Sequence, residues 1–447
     1  MTIDILPDIV LLDIFESYLE KAWIEQWHTL VHVCKRWRNV VFGSPRRLNL
    51  RLCCGTETPV RTSLDVWPLL PIIVLVYSHE GWGGADGEDN IIAALEQNDR
   101  ICAICLPPRL PLAVLAAMQR PFPELTRLEL GNGFESFPVL PASFLGGSAP
   151  RLQKLTLDGI PFPELPKLLL STTHLAKLEL LRIPYSGYIS PEEMVFGLSA
   201  LTRLERLVIG FRSSQSPPHQ KNRRQQTRAL FPVLAEFWFE GVGEYLEDLV
   251  ARIDTPLLDN FTITFSCLPI FDTPQLNQFI IRTSKFKTHN EARVVLADDD
   301  IQVKLPQSDG ALCLRILCDR QDLQLSYLVQ VCSSFFPQAF MTAVEHLYIL
   351  RDTFWCWTED IENNRWLELF YPFTAVKVLY ISREFVPHVT LALQELVGER
   401  VTEVLPVLQG LFLEDTPPPG VQEAIGRFIA SRQLVGRPIA VFRWKRK

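Results

Sequence analysis

Long apolar runs are missing from this chain of 447 residues, and so are the residue patterns that announce a reaction centre. The most apolar window, Val66 to Tyr77, falls well short of the roughly 18–20 residues a membrane span needs, and Pro68 and Pro71 interrupt it. The first residues carry Asp4, Asp8 and Asp13 and not the basic-then-apolar order of a secretory leader. The chain is therefore expected to be soluble and intracellular, in the cytoplasm and/or nucleus, with no membrane partner. Ten cysteines are scattered without framework spacing, as reduced thiols are. Positive charge is also in short supply. A net charge of -7 argues against nucleic acid as a general partner, which needs clustered Lys and Arg to displace counterions.

Catalytic signatures are absent in the same way. No Gly-x-Ser-x-Gly elbow occurs, and no set of Ser, His and Asp stands out. Gly81-Trp82-Gly83-Gly84 with Gly87 lacks the Lys-Ser/Thr of a phosphate loop and reads as a solvent loop. His28 and His32 have the i, i+4 spacing of a metal pair and Cys34 follows closely, but the second half of a site is lacking. Cys102-x-x-Cys105 has no second pair to complete a four-ligand zinc site and is expected to be buried as small hydrophobes. The runs Lys221-Asn222-Arg223-Arg224 and Arg443-Trp444-Lys445-Arg446-Lys447 read as short solvated stretches. No cofactor, metal or catalytic residue is expected, and the chain is not expected to be an enzyme.

What is present is apolar and patterned. Hydrophobic residues make up 47% and charged residues 21%, enough for a substantial core. Leu6-Pro7 opens a helix, since Pro is well placed in a first turn, and Leu11, Ile14, Phe15 and Tyr18 follow one helical face. A second helix is expected from about Trp23. Trp23, Trp27, Leu30, Val31 and Cys34 would share one face, with Val33, Trp37, Val40 and Val41 in a stripe beside it. Some 45 residues so rich in apolar side chains cannot bury them all alone, so one stripe needs a partner.

A second pattern, Leu-x-x-Leu-x-Leu with Phe, Ile or Val as substitutes, recurs through the rest of the chain. It appears at Leu125-Leu128-Leu130, Leu152-Leu155-Leu157, Leu175-Leu178-Leu180, Leu204-Leu207-Ile209, Leu234-Phe237-Phe239, Leu258-Phe261-Ile263 and Leu276-Phe279-Ile281. After a gap it returns at Val344-Leu347-Ile349, Val376-Leu379-Ile381 and Leu408-Leu411-Leu413. Most intervals lie near the roughly 20–29 residues of a leucine-rich repeat. The last two apolar positions alternate with polar ones, the mark of a short strand with one buried face. Stacking such units yields a solenoid with a parallel sheet on its inner side. In the gap, Arg293 to Leu296 and Ile301 to Leu305 flank Asp298-Asp299-Asp300 as a hairpin, Leu312, Leu314 and Ile316 read as a strand, and Leu325, Leu328, Val329 and Cys332 as a helical face. Residues 212–228 are rich in Ser, Pro, Gln and Arg and read as a loop. Trp366, with Phe354, Trp355 and Trp357, is expected in a loop or helix packed on the array.

The order Leu6-Pro7-Asp8-Ile9-Val10-Leu11-Leu12-Asp13-Ile14-Phe15, then Tyr18-Leu19, then Val33-Cys34-Lys35-Arg36-Trp37-Arg38, resembles an F-box. The resemblance covers about a tenth of the chain. One departure is that Arg46-Arg47-Leu48 occupies the place of the family's later Trp. The repeats resemble leucine-rich repeats, without the usual Asn or Cys after the last Leu (Gly133 and Ile160 stand there). Together with the stretch from Leu393 to Val401, the whole is similar to the F-box-like families expanded in mushroom-forming fungi. The implied fold is α/β: a small N-terminal helical F-box followed by an irregular leucine-rich-repeat solenoid with a curved, mainly parallel sheet.

The expected division is an F-box-like module over 1–52, a linker and solenoid entry or capping region over 53–121, irregular leucine-rich repeats over 122–415 with inserted strands near 291–317, and a C-terminal capping segment with a basic tail over 416–447. The resemblance implies docking on a Skp-type adaptor, and through it a cullin–RING ubiquitin ligase, by Leu6, Pro7, Ile9, Ile14, Phe15, Leu19, Val33, Cys34 and Trp37. The repeats would then bind an unknown protein target. The candidate surface for it alternates with the buried positions: Arg127, Glu129, Lys154, Lys177, Glu179 and Arg206, then Trp238, Tyr348, Tyr380 and Phe412. The other reading is an adaptor-independent repeat scaffold whose N-terminal helices cap the array.

Overall fold

The computed structural model describes residues 5–20, 26–57, 59–76, 84–106, 110–131, 138–212, 228–266, 273–287, 289–307, 310–318, 320–352, 363–396, 398–415 and 417–445. Expectations at Trp23, Gly81 to Gly83, Gly133, the core of the 212–228 loop, residues 354–362 and Arg446-Lys447 lie outside these residues. The chain divides into two compact units, residues 1–189 with 196–204, and residues 190–195 with 205–447. Among the described residues no helix is long and apolar enough to cross a membrane.

The first unit begins with three helices, α1 (Asp8–Glu20), α2 (Trp27–Val33) and α3 (Lys35–Gly43). The sequence reading had one helix where α2 and α3 stand. The break is at Cys34, whose backbone is extended (φ -159°, ψ 168°) and whose Sγ accepts the Trp37 N–H at 3.4 Å as the N-cap of α3. That turn folds the two expected stripes onto each other. Trp27, Leu30 and Val31 of α2, Val40 and Val41 of α3, and Leu11 and Phe15 of α1 make one core with Leu48, Leu50 and Leu70.

Six parallel strands follow, β1 (Leu52–Cys54), β2 (Ile72–Leu75), β3 (Ile101–Leu106), β4 (Arg127–Gly131), β5 (Lys154–Asp158) and β6 (Lys177–Ile183), each paired with the next. The repeat motif sets the register: Leu128, Leu155 and Leu178 are aligned neighbours, as are Leu130, Leu157 and Leu180, and all are buried. Residues 53–121, expected as a linker and solenoid entry or capping region, carry β2, β3 and most of β1. Their strands read Leu-Cys-Cys, Ile-Ile-Val-Leu and Ile-Cys-Ala-Ile-Cys-Leu, whose near-continuous apolar character hid the alternation. Return segments pack closely. At Gly146, in a left-handed turn (φ +68°), a Cβ would stand 2.9 Å from the Pro121 backbone, so only glycine fits.

The second unit repeats the scheme with β7 (Arg206–Phe211), β8 (Ala229–Leu230), β9 (Glu236–Gly241), β10 (Ile253–Asp254), β11 (Asn260–Phe265), β12 (Glu291–Leu296), β13 (Asp300–Pro306), β14 (Ala311–Leu317), β15 (His346–Arg351), β16 (Val378–Ile381), β17 (Gly410–Leu413) and β18 (Ala440–Arg443). The order is β7-β9-β11-β14-β13-β12-β15-β16-β17-β18, with β8 and β10 pairing separately. All neighbours are parallel except β13, which runs antiparallel to both β12 and β14. The expected hairpin is thus present, and with β14 it fills the gap in the motif.

One expected repeat is not a strand. Leu276, Phe279 and Ile281 lie on the helix Pro274–Arg282, where Leu276, Phe279 and Ile280 are buried and Ile281 is 49% exposed. Leu-x-x-Phe is also a helical i, i+3 spacing, Pro274 sits in the first turn, and the Glu247 carboxylate accepts the N–H groups of Gln275 (3.0 Å) and Leu276 (2.7 Å) there. Trp366 is buried on the helix Asn363–Phe370 against Phe385. The C-terminal segment forms the helix Pro419–Leu434 and then β18. Arg432 is fully buried on that helix and donates to the carbonyls of Val401 (3.2 Å) and Leu408 (3.2 Å).

Candidate functional site

The helical module holds itself together. The Phe15 and Trp37 rings meet at 4.7 Å, and Trp27 Nε1 donates to the Arg51 carbonyl at 2.8 Å. Arg36 reaches from α3 to the start of α1, donating to the Leu6 carbonyl at 2.5 Å and pairing with Asp8 at 2.6 Å. Arg47 pairs with Asp13 and Glu16 of α1, and Leu48 is buried in the core, so the segment after α3 is anchored to α1.

The nine expected adaptor positions therefore separate into three groups. Phe15 is core, 1% exposed, and supports the module from within. Leu6, Leu19 and Trp37 are half-buried against that core, and half-buried Cys34 caps α3. Pro7, Ile9 (57% exposed), Ile14 (43%) and Val33 (58%) stand outside it, as do Ile5 and Tyr18. A shallow groove beside them is lined by Asp8, Lys35, Arg36, Asn39 and Val40.

On the first unit's sheet, the residues alternating with the buried leucines form rows of charge. Arg127, Lys154 and Lys177 are aligned, and so are Glu129, Thr156 and Glu179. Glu129 pairs with Arg127 (2.9 Å) and Lys154 (2.6 Å), and Thr156 donates to Glu179 at 3.1 Å. Partial burial raises the Glu129 pKa, but the hydrogen bonds from Arg127 and Lys154 outweigh it and hold the carboxyl below its ordinary range. Arg182 closes the next position with two 2.6 Å bonds to Asp158.

The second unit's sheet carries a different surface. Arg206 pairs with Glu236, and half-buried Trp238 lies between Val208 and Thr262. Beyond the hairpin, Tyr348, Tyr380, Phe412 and Phe442 are aligned neighbours on β15 to β18. Tyr348 and Tyr380 stack at 4.1 Å and 4°, Tyr380 and Phe412 meet at 4.7 Å, and Phe412 and Phe442 at 4.7 Å. Arg293 lies over Tyr348 at 5.4 Å, and Trp444 meets Tyr380 edge-on at 5.5 Å. Burial, then Glu291 and Tyr380, push the Tyr348 phenol up to about 12. Sequence reasoning placed Tyr348, Tyr380 and Phe412 together but missed Arg293, Phe442 and Trp444. The alternation Val441-Phe442-Arg443-Trp444 was a legible signal for a last strand, whereas Arg293 enters the row only through the hairpin's pairing.

The other polar candidates have local explanations. His28 stacks on Trp67 at 4.9 Å and His32 meets the same ring edge-on at 6.1 Å. Arg51 donates to Cys102 Sγ at 3.7 Å, and burial pushes the Cys105 thiol up to about 11, away from thiolate chemistry. Among the described residues no three His, Cys, Asp or Glu side chains are placed to hold a metal ion.

No family model matches the chain, and no curated protein does. Among solved structures it is similar to the leucine-rich repeat-containing protein LegL7 from Legionella pneumophila, at 12% identity over 76% of this chain and 92% of that one, with a TM-score of 0.28. A superposition that loose does not establish a shared fold. The architecture rests on the strand register above.

Proposed function

We propose that the chain is the substrate-recognition subunit of a Skp–cullin–F-box type ubiquitin ligase, working in the cytoplasm and/or nucleus. The N-terminal module docks on the Skp-type adaptor, and the leucine-rich repeats take up a target protein. The observation that carries this reading is the division of the module's apolar residues. A core shared with Trp67 and Leu70 leaves Pro7, Ile9, Ile14 and Val33 exposed, all of them positions that the F-box resemblance assigns to the adaptor. Exposed apolar groups on a domain that already has a core are what a partner surface needs. Bond chemistry is left to the ligase. The receptor's contribution is effective concentration, holding a target lysine beside the charged enzyme.

The test is titration of the full chain with a purified Skp-type adaptor. Ile9→Glu with Val33→Glu should weaken binding by about a hundredfold, as loss of two anchors would, with the melting temperature unchanged. No binding by the parent chain at micromolar concentration sinks the proposal. A second reading has its own observation. Trp67 and Leu70, just before β2, pack on the module's core, as they would if the helices served to cap the array. That scaffold reading gains if the double variant binds the adaptor as the parent does.

A further inference from the structure

β18 is the terminal strand of the second unit's sheet, and all four of its residues are exposed. Its inner side is occupied: the Ala440 N–H donates to Gln409 at 2.9 Å and the Trp444 N–H to Leu413 at 3.0 Å. In a parallel ladder the paired residues alternate, so the backbone groups of Val441 and Arg443 point away from β17. The outward edge thus presents N–H and C=O groups beside two apolar side chains, Val441 at 40% and Phe442 at 48% exposure. Natural edge strands are usually blunted by charge, proline or a bulge. Here Ala440-Val441-Phe442 is uncharged and free of proline, and Arg443 at the strand's end supplies its one charge.

Phe442 is also the open end of the aromatic row. Each ring from Tyr348 onward has a neighbour on the next strand, and Phe442 has Phe412 on one side and, among the described residues, no further strand on the other. Gly410 makes room for this end, since a Cβ there would meet the Phe412 ring at 3.2 Å. The charge carried by the segment itself is of one sign. Among the described residues Arg437, Arg443 and Lys445 follow one another with no acid between them, in a chain whose net charge is -7. The nearby Asp415 is shared between Arg443 (3.3 Å) and Arg383 (3.4 Å), which leaves the edge basic.

We infer that β18 is a docking edge for an extended acidic segment of a partner protein, which adds as a further strand, places an aromatic residue on Phe442 and sets its carboxylates against the basic edge. Backbone pairing supplies affinity in such additions, and alternate side chains supply specificity. A second copy of this chain is a poor occupant, because pairing β18 with itself would bring two basic segments together. A nucleic-acid strand is disfavoured by the stacking. The faces of the inner rings already lie against one another, so they offer no platform for bases.

This inference does not depend on adaptor docking, and its test contains no adaptor. The probe is a fluorescein-labelled peptide, Glu-Asp-Ile-Phe-Val-Asp-Glu, titrated with the full chain and followed by anisotropy. Val441→Pro removes an outward donor without touching the pairing to β17, and should weaken binding about tenfold or more. The same peptide N-methylated on alternate residues keeps its side chains, and should lose about as much on the unaltered protein, a result independent of how any variant folds. Phe442→Ala should cost a further severalfold. Equal binding by the methylated and plain peptides overturns the inference. So does failure of the plain peptide to bind at millimolar concentration, or tighter binding of a thymidine homopolymer of about twenty nucleotides than of the peptide.

Discussion

The sheets of the two units are built alike on their buried side and differently on the other. In both, leucine or its equivalents stand in register beneath the strands, as at Leu155 and Leu379, each fully buried. Above them the first unit sets Arg127, Glu129 and Lys154 in mutual ion pairs, while the second sets Tyr348, Tyr380, Phe412 and Phe442 in a stacked row. The buried face makes the fold and tolerates little variety, because each strand must fit its neighbours. The open face is free to differ, and the difference is one of physics. Paired surface charges are worth little and are screened by salt, whereas stacked rings hold in salt and stiffen the strands they join.

The comparison can be broken most forcefully at its common part. Leu155→Ala and Leu379→Ala should each destabilise their unit by about 2–5 kcal/mol in denaturant unfolding, the range for a truncated core leucine. A marked inequality between them would mean that the two cores are not equivalent. Next comes the row. Tyr380→Ala removes a ring with neighbours on both sides and should cost about 1–3 kcal/mol, more than Phe442→Ala at the open end, with little change between low and high salt. Loss of the Tyr380 effect in high salt would remove the distinction drawn here.

Smallest is the charge network. Glu129→Gln should cost under about 1 kcal/mol, and less still in high salt. Its pH dependence has a definite sign. Because the folded state holds the Glu129 carboxyl below its ordinary value of 4.5, the contribution is present above that value and fades as pH falls through the folded pKa. Unfolding measured between neutral pH and pH 3 should show the parent losing this increment and Glu129→Gln lacking it. An increment that persists at low pH would show that the ion pairs do not supply it.

Much of this was legible beforehand, and the misses have reasons. The repeat motif located β4 to β7, β9, β11 and β15 to β17 because alternating leucine admits few other structures at that spacing. It failed at Leu276, where the spacing is equally helical and Pro274 with the Glu247 cap decided for a helix. It was silent over β1 to β3, whose strands are apolar on both faces. In the module, the apolar inventory was read correctly but as one helix, because an extended residue at Cys34 has no signature in periodicity.

By itself the sequence determined the two-residue rhythm of the repeat strands and the helical rhythm of the module, since alternation of apolar and polar side chains is a local pattern. It also located the N-terminal helical module and the aromatic positions Tyr348, Tyr380 and Phe412. Only the tertiary structure decided which of the module's apolar residues remain outside its core: Ile9, Ile14 and Val33 but not Phe15. It alone extended the aromatic row to Arg293, Phe442 and Trp444 and left the edge of β18 open. These depend on register and strand order between segments far apart in the chain, and distance along a sequence carries no information about that pairing.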